Sequence, residues 1–376
     1  MTSASTSEQL PVASSFARAG LLVYALLIVY ASWYPFAGWS DIGIAPLAFL
    51  HLPLPHYKTM FDLVTNVIAY IPFGVLLVFA LYPRIRHVWA LLIAVTSGAL
   101  LSVSMEAGQT FLPSRVASNL DFLTNVAGVC IGAVAGALLT RKFMERSRLR
   151  LLRRRWFSFE ASRGLIVLAL WPLAQIYPQA YLFGHGQLTP ILSNWLSDWL
   201  SMPIDLGVYL RSETDLTVEQ YWLSETIITA CGLTGAVLTL LCLFRHRAPK
   251  GALVALMIAF AVMIKALSSA LLFSPENAFV WLTPGAKGGV LIGAIMLAGL
   301  AFAPSVAQRR VAVLALVTSL AVVNAAPANP YFIATMQTWV QGKFLNFNGA
   351  AQFLSLLWPF ITLWFLLHPV HRTKRD

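Results

Sequence analysis

Ten apolar stretches of 16–24 residues recur along the 376-residue chain, at 19–36, 62–82, 88–108, 121–140, 163–183, 221–244, 251–273, 288–303, 310–325 and 350–368. About 20 residues of helix cross the hydrocarbon core of a bilayer. A segment in lipid must satisfy its backbone N–H and C=O groups internally, so runs of this kind fold as helices. The chain is therefore predicted to be all-α and polytopic, with about ten transmembrane helices. Its charged residues amount to 11%, against about a quarter in an ordinary soluble domain, and apolar ones to 58%. So little chain remains between the runs that a soluble enzyme or a secreted disulfide scaffold is disfavoured.

A net charge of +11 would suit a nucleic-acid partner, but the basic residues partition by side of the membrane. Lys and Arg in short loops favour the cytoplasmic side. With the N-terminus placed inside, 20 of the 26 basic residues and only 4 of the 15 acidic ones fall on the inner side. This places both termini in the cytoplasm, and no nucleic-acid partner is expected. The first run follows Arg18, exceeds a signal-peptide core in length and lacks a cleavage site, so it reads as a retained anchor. Cys130, Cys231 and Cys242 all fall inside apolar runs, which suits buried thiols better than a disulfide framework.

The stretch Arg141–Arg155 holds eight basic residues and divides the chain. Four segments follow: a cytoplasmic 1–21, a four-helix membrane module at 22–140, a basic cytoplasmic linker at 141–162, and a second module of about six helices at 163–376 with no assignment. The linker also reads as an interfacial amphipathic helix, with Phe143, Leu149, Leu151, Leu152 and Trp156 against lipid.

Ionisable residues at membrane depth are costly and mark function; here they gather in 62–125. The second span opens with Asp62 and Asn66, the fourth with Asp121 and Asn125, in six-residue segments that agree at four positions. Residues four apart share a helix face, so each helix offers a carboxylate above an amide. The third span runs the other way and ends with Glu106 and Gln109, followed by a loop carrying Arg115. All these groups are expected at the extracytoplasmic end. Gly128, Gly132 and Gly136 continue the face of Asp121 and Asn125, and Gly98, Ser102 and Glu106 repeat every four residues. Small residues let membrane helices approach closely, so both stripes aim the polar groups into the bundle. Pro72 is expected to kink the second span and release the carbonyl of Ile68.

These elements together resemble the VanZ-like family of bacterial membrane proteins, named for an accessory factor in teicoplanin resistance. The matching pieces are Tyr34-Pro35-Phe36, Asp62-x3-Asn66-x5-Pro72-Phe73-Gly74, Ser102-x3-Glu106-x2-Gln109, Pro113-x-Arg115 and Asp121-x3-Asn125-x2-Gly128-x3-Gly132. The resemblance covers about 22–140. It implies a protein of the bacterial inner membrane concerned with the cell envelope and glycopeptide tolerance, and it supplies no settled chemistry.

Three readings of the cluster stand side by side. In the first, Arg115 clamps a phosphate or carboxylate through its planar fork, and the module binds or shields a membrane lipid or lipid-linked cell-wall precursor. In the second, Asp62, Glu106 or Asp121 handles protons in a membrane-embedded enzyme, although no nucleophile with an adjacent base is evident. In the third, Asp62 and Asp121 complement helix N-termini and Arg115 pairs with Glu106, a purely structural role. The second module adds Glu225 and Lys265 within spans, expected as an intramembrane ion pair, or as the pathway of a small-solute or proton-coupled transporter. Trp195 and Trp199, in the acidic loop 184–220, mark an interfacial helix. No metal site is expected, since His51 and His56 lack a third ligand, and no cofactor, since no Gly-rich phosphate loop follows a strand.

Overall fold

The computed structural model describes residues 15–34, 36, 38–55, 60–140, 155–158, 161–210, 216–327 and 345–368. Among these, twelve α-helices carry the fold, and the only β pairing is one isolated bridge between Phe157 and Phe244. The helices are α1 (Ser15–Trp33), α2 (Met60–Leu81), α3 (His87–Gln109), α4 (Asn119–Thr140), α5 (Ala161–Ala174), α6 (Thr189–Leu200), α7 (Leu206–Leu210), α8 (Val218–Leu241), α9 (Lys250–Leu272), α10 (Pro284–Leu300), α11 (Ser305–Ala325) and α12 (Leu345–Leu367). Eight are long and apolar enough to cross a membrane, while α5 and α10 are apolar but shorter. The chain is an all-α, polytopic membrane protein.

Two compact units divide it, 1–154 and 155–376. In the first, α4 packs along α2 and α3, and α1 packs on α2. The α2–α4 seam is a contact of backbone on backbone. A Cβ on Gly128 would meet the Val67 carbonyl, one on Gly132 the Ile71 carbonyl, and one on Gly74 the Val129 carbonyl. Gly98 on α3 admits the Val129 side chain in the same way, 2.5 Å from where its Cβ would stand. Gly136 is looser, its nearest neighbour Val78 at 3.1 Å. Pro72 sits inside the continuous helix α2.

In the second unit α8 is the core helix, 72% of its spanning window being buried, with α10 and α11 packed against it and α5 against α12. A capping box starts α8: Thr217 Oγ accepts from Gln220 N, and the Gln220 side chain accepts from Thr217 N at 2.8 Å. Two sequence expectations are corrected here. The fifth run, 163–183, is helical only to Ala174; Pro172 interrupts its hydrogen bonding, and the buried chain from Gln175 to Gly186 is irregular. The basic linker does not extend to 162 as a free segment either. Arg245 N donates to the Trp156 carbonyl and Ser158 N to that of Leu243, which ties 156–158 to the end of α8. Residues 141–154, and with them the expected interfacial positions Phe143, Leu149, Leu151 and Leu152, lie outside the described residues.

Candidate functional site

The seven polar residues singled out in 62–125 gather at one end of the first unit, where the chain between α1 and α2 meets the loop between α3 and α4. Six of them divide into two neighbouring networks, with Asp62 in the first turn of α2 one turn before Asn66.

The first joins α2, α3 and α4. Asn66 Nδ2 donates to Asp121 Oδ1 at 2.9 Å, so the amide of one repeat serves the carboxylate of the other. Asn125 does not return the favour; its Nδ2 donates to Ser102 Oγ at 3.0 Å. Glu106 Oε2 accepts from Ser118 N at 2.8 Å, and Ser118 Oγ accepts from Asp121 N at 3.3 Å. Helix N-termini leave N–H groups without intrahelical partners. Here a carboxylate from α3 takes one of them, and the favourable dipole end of α4 faces that charge. Glu106, Asp121, Asn125 and Ser102 are all buried, whereas Asp62, in the first turn of α2, is half-buried.

The second network fastens the C-terminal end of α1. Gln109 Nε2 donates to the Ser32 carbonyl at 3.1 Å, and Trp33 Nε1 donates back to the Met105 carbonyl at 3.2 Å. Arg115 directs both Nε (3.0 Å) and an η nitrogen (2.6 Å) at the Tyr34 carbonyl. The last carbonyls of a helix lack partners of their own, and a cation there also complements the dipole. Arg115 therefore turns to Tyr34, away from the expected pairing with Glu106. Half-burial lowers its pKa somewhat, with the neighbouring Tyr34 acting the other way, but an arginine remains charged throughout.

Tyr70 was not anticipated. It is buried one turn beyond Asn66 on the Asp62–Asn66 face, with Ser102 beside its hydroxyl and Glu106 and Asp121 nearby. The spacing 62, 66, 70 was readable, but a tyrosine in an apolar run reads as packing.

In the second unit Glu225 and Lys265 are both buried but serve different neighbours. The Glu225 carboxylate lies against Gly285 in the first turn of α10, a position the helix dipole favours. Lys265 Nζ has no hydrogen-bond partner among the described residues, so the expected pair is not closed. Trp195 and Trp199 stack on exposed α6 with centroids 6.3 Å apart. Among the described residues no three His, Cys, Asp or Glu side chains stand together as a metal site would need.

The family model of VanZ/LLP1 matches residues 14–140, which is the segment built from α1–α4. Over these residues the chain is similar to the VanZ/LLP1 family. Its motif residues are the two networks just described, with Tyr34, Gln109 and Arg115 in the α1 fastening and Asn66, Glu106, Asp121 and Asn125 in the helix cluster; Pro35 lies outside the described residues. The match leaves the second unit unassigned. Searches of curated proteins and of solved structures return no match.

Proposed function

We propose that this VanZ-like membrane protein is a non-catalytic envelope factor, residing in the bacterial inner membrane, that binds the anionic headgroup of a lipid or lipid-linked cell-wall precursor and thereby lowers susceptibility to teicoplanin-type glycopeptides. Arg115 carries the reading. A guanidinium has five N–H donors, and two of them are committed to the Tyr34 carbonyl. That commitment fixes the plane of the fork before any ligand arrives, which spares the ligand the entropic cost of ordering it. The side chain stays half-exposed, on a loop where Pro113 and Ser114 are exposed. Beside the half-buried Asp62, the first turns of α2 present an exposed apolar surface with Val64 and Ile68, against which part of an acyl chain can lie. Glu106 and Asp121, by contrast, already accept hydrogen bonds from fixed N–H donors of the protein, an arrangement that favours positioning over proton transfer.

The test is glycopeptide susceptibility of a permeable Gram-positive host expressing the wild type, Arg115→Ala, Arg115→Lys, Asp62→Asn and Glu225→Gln at equal membrane levels. Protection by the wild type and Glu225→Gln, its loss in Arg115→Ala and its partial retention in Arg115→Lys and Asp62→Asn are expected. A wild type that protects no better than the empty host ends the proposal, and complete loss in Asp62→Asn transfers weight to acid–base chemistry.

A further inference from the structure

Buried polar groups in the second unit are for the most part answered by the protein itself. Asn324 is the clearest case. Its Oδ1 accepts from Leu188 N and Thr189 N at 2.7 and 2.9 Å, and its Nδ2 donates to the carbonyls of Gly186 and Leu320, both at 2.9 Å. Thr229 likewise donates to the Leu182 carbonyl and Trp358 Nε1 to that of Val167.

Around the end of α5 the accounting fails. Trp171 Nε1, Gln175 Oε1, Gln179 Oε1 and Lys265 Nζ are all buried with no hydrogen-bond partner among the described residues. These atoms share a neighbourhood. Gln175 Nε2 stands 2.8 Å from His185 Nε2 and donates to the Trp171 carbonyl at 3.2 Å. Gln179 Nε2 donates to Ser355 Oγ, and Trp358 on the same helix packs against both Trp171 and His185. Lys265 reaches in from α9, which packs on α5, and is 3% exposed. Burial holds the His185 imidazole neutral, its pKa down to about 4, against a hydrogen bond with the Phe183 backbone and with the nearby Lys265 charge working in the same direction as burial. The histidine is therefore no cation competing with the lysine.

Leaving one buried donor or acceptor unanswered costs about 1–3 kcal/mol, and more where it is charged. Four such atoms in one neighbourhood, next to an Asn324 whose amide is answered at both ends, indicate groups arranged for something other than the chain. Two are pure donors: a lysine supplies three N–H groups and an indole one. The glutamine oxygens are acceptors, suited to a hydroxyl or amide on the same ligand.

We propose that Lys265 and Trp171 bind an anionic oxygen, of a carboxylate or a phosphate, in a polar site of the second unit whose wall includes Gln175, Gln179 and His185. The site draws on nothing in the VanZ-like domain, so it stands or falls apart from the envelope reading above.

The experiment uses the full chain purified in a phosphate-free detergent, with thermal unfolding followed by the change in tryptophan fluorescence. Sodium acetate and inorganic phosphate are the probes, each against sodium chloride of equal ionic strength. A ligand at well above its Kd raises the wild-type midpoint by about 2–4 °C. Lys265→Met, which removes an unanswered buried charge and so is expected to fold at least as well, loses the response; Trp171→Phe halves it and Lys265→Arg keeps it. Should Lys265→Met fail to fold, the other two variants carry the comparison. A phospholipid retained by the wild type and lost from Lys265→Met identifies the anion as a lipid headgroup, and a response to the free anions alone identifies a soluble ligand. A wild type indifferent to both probes, with phospholipid retention equal to that of Lys265→Met, overturns the proposal.

Discussion

Asn66 joins the two halves of the Asp–Asn repeat through one hydrogen bond, and replacing it by Ala removes that donor from the buried Asp121. Hydrogen bonds to charged groups contribute about 1.5–3 kcal/mol; a loss in that range is expected, read as a lowered unfolding midpoint, with Asn66→Ser recovering part of it. His185 supplies a pH dependence. Its pKa is about 4 in the folded chain, below the ordinary value of 6.5. The unfolded state therefore takes up the proton first, and stability falls as pH drops from about 6.5 towards 4 while staying level above that range. Midpoints measured from pH 8 to 4 should show this slope in the wild type and a shallower one in His185→Gln. Neither residue announces its surroundings. Asn66 was legible because a repeat pairs it with Asp62, whereas His185 is an isolated histidine in an apolar context, and only the fold brings Gln175, Trp358 and Lys265 to it.

At the scale of elements, the α2–α4 seam depends on three glycines whose added Cβ atoms would press on backbone carbonyls, which cannot swing aside as a side chain does. Gly132→Ala is expected to cost about 1–3 kcal/mol by forcing the helices apart. Gly136→Ala, facing Val78 at 3.1 Å, should cost clearly less; thermal unfolding of the two variants side by side checks the order. The small-residue periodicity of α4 was readable because it repeats every four residues. What it did not reveal is the partner: Gly74 of α2 completes the seam from the other side. The fifth apolar run shows the opposite failure. Hydropathy extended it to 183 because Ile176, Tyr177, Ala180, Tyr181 and Leu182 are apolar, but Ala180 and Tyr181 are buried in a cluster with Ile228 of α8 and Val323 of α11. An average over a window does not distinguish burial in protein from burial in lipid.

Across the whole molecule, the long apolar helices were legible from length alone, because the bilayer imposes a thickness that an α-helix meets with about 20 residues. The division into two units near 154 was signalled by the change from apolar to basic sequence. Sidedness is a matter of charge partition. A cysteine introduced at Ser114 should react with a membrane-impermeant thiol reagent added outside, while one at Arg247 should be labelled only after the membrane is opened. The converse pattern would invert the assignment of both termini to the cytoplasm. The fastening of α1 also sets an order of events during synthesis. Tyr34 receives Arg115 from 81 residues downstream, a stretch that takes about 4–16 s to translate at about 5–20 residues per second. During that interval α1 can already pack on α2, where Tyr24 donates to the Ala69 carbonyl, while the Tyr34 carbonyl still waits for its donor. The arrival of the loop after α3 fastens that last end, so a ribosome stalled before residue 115 would expose an α1 docked along its length and loose at Tyr34.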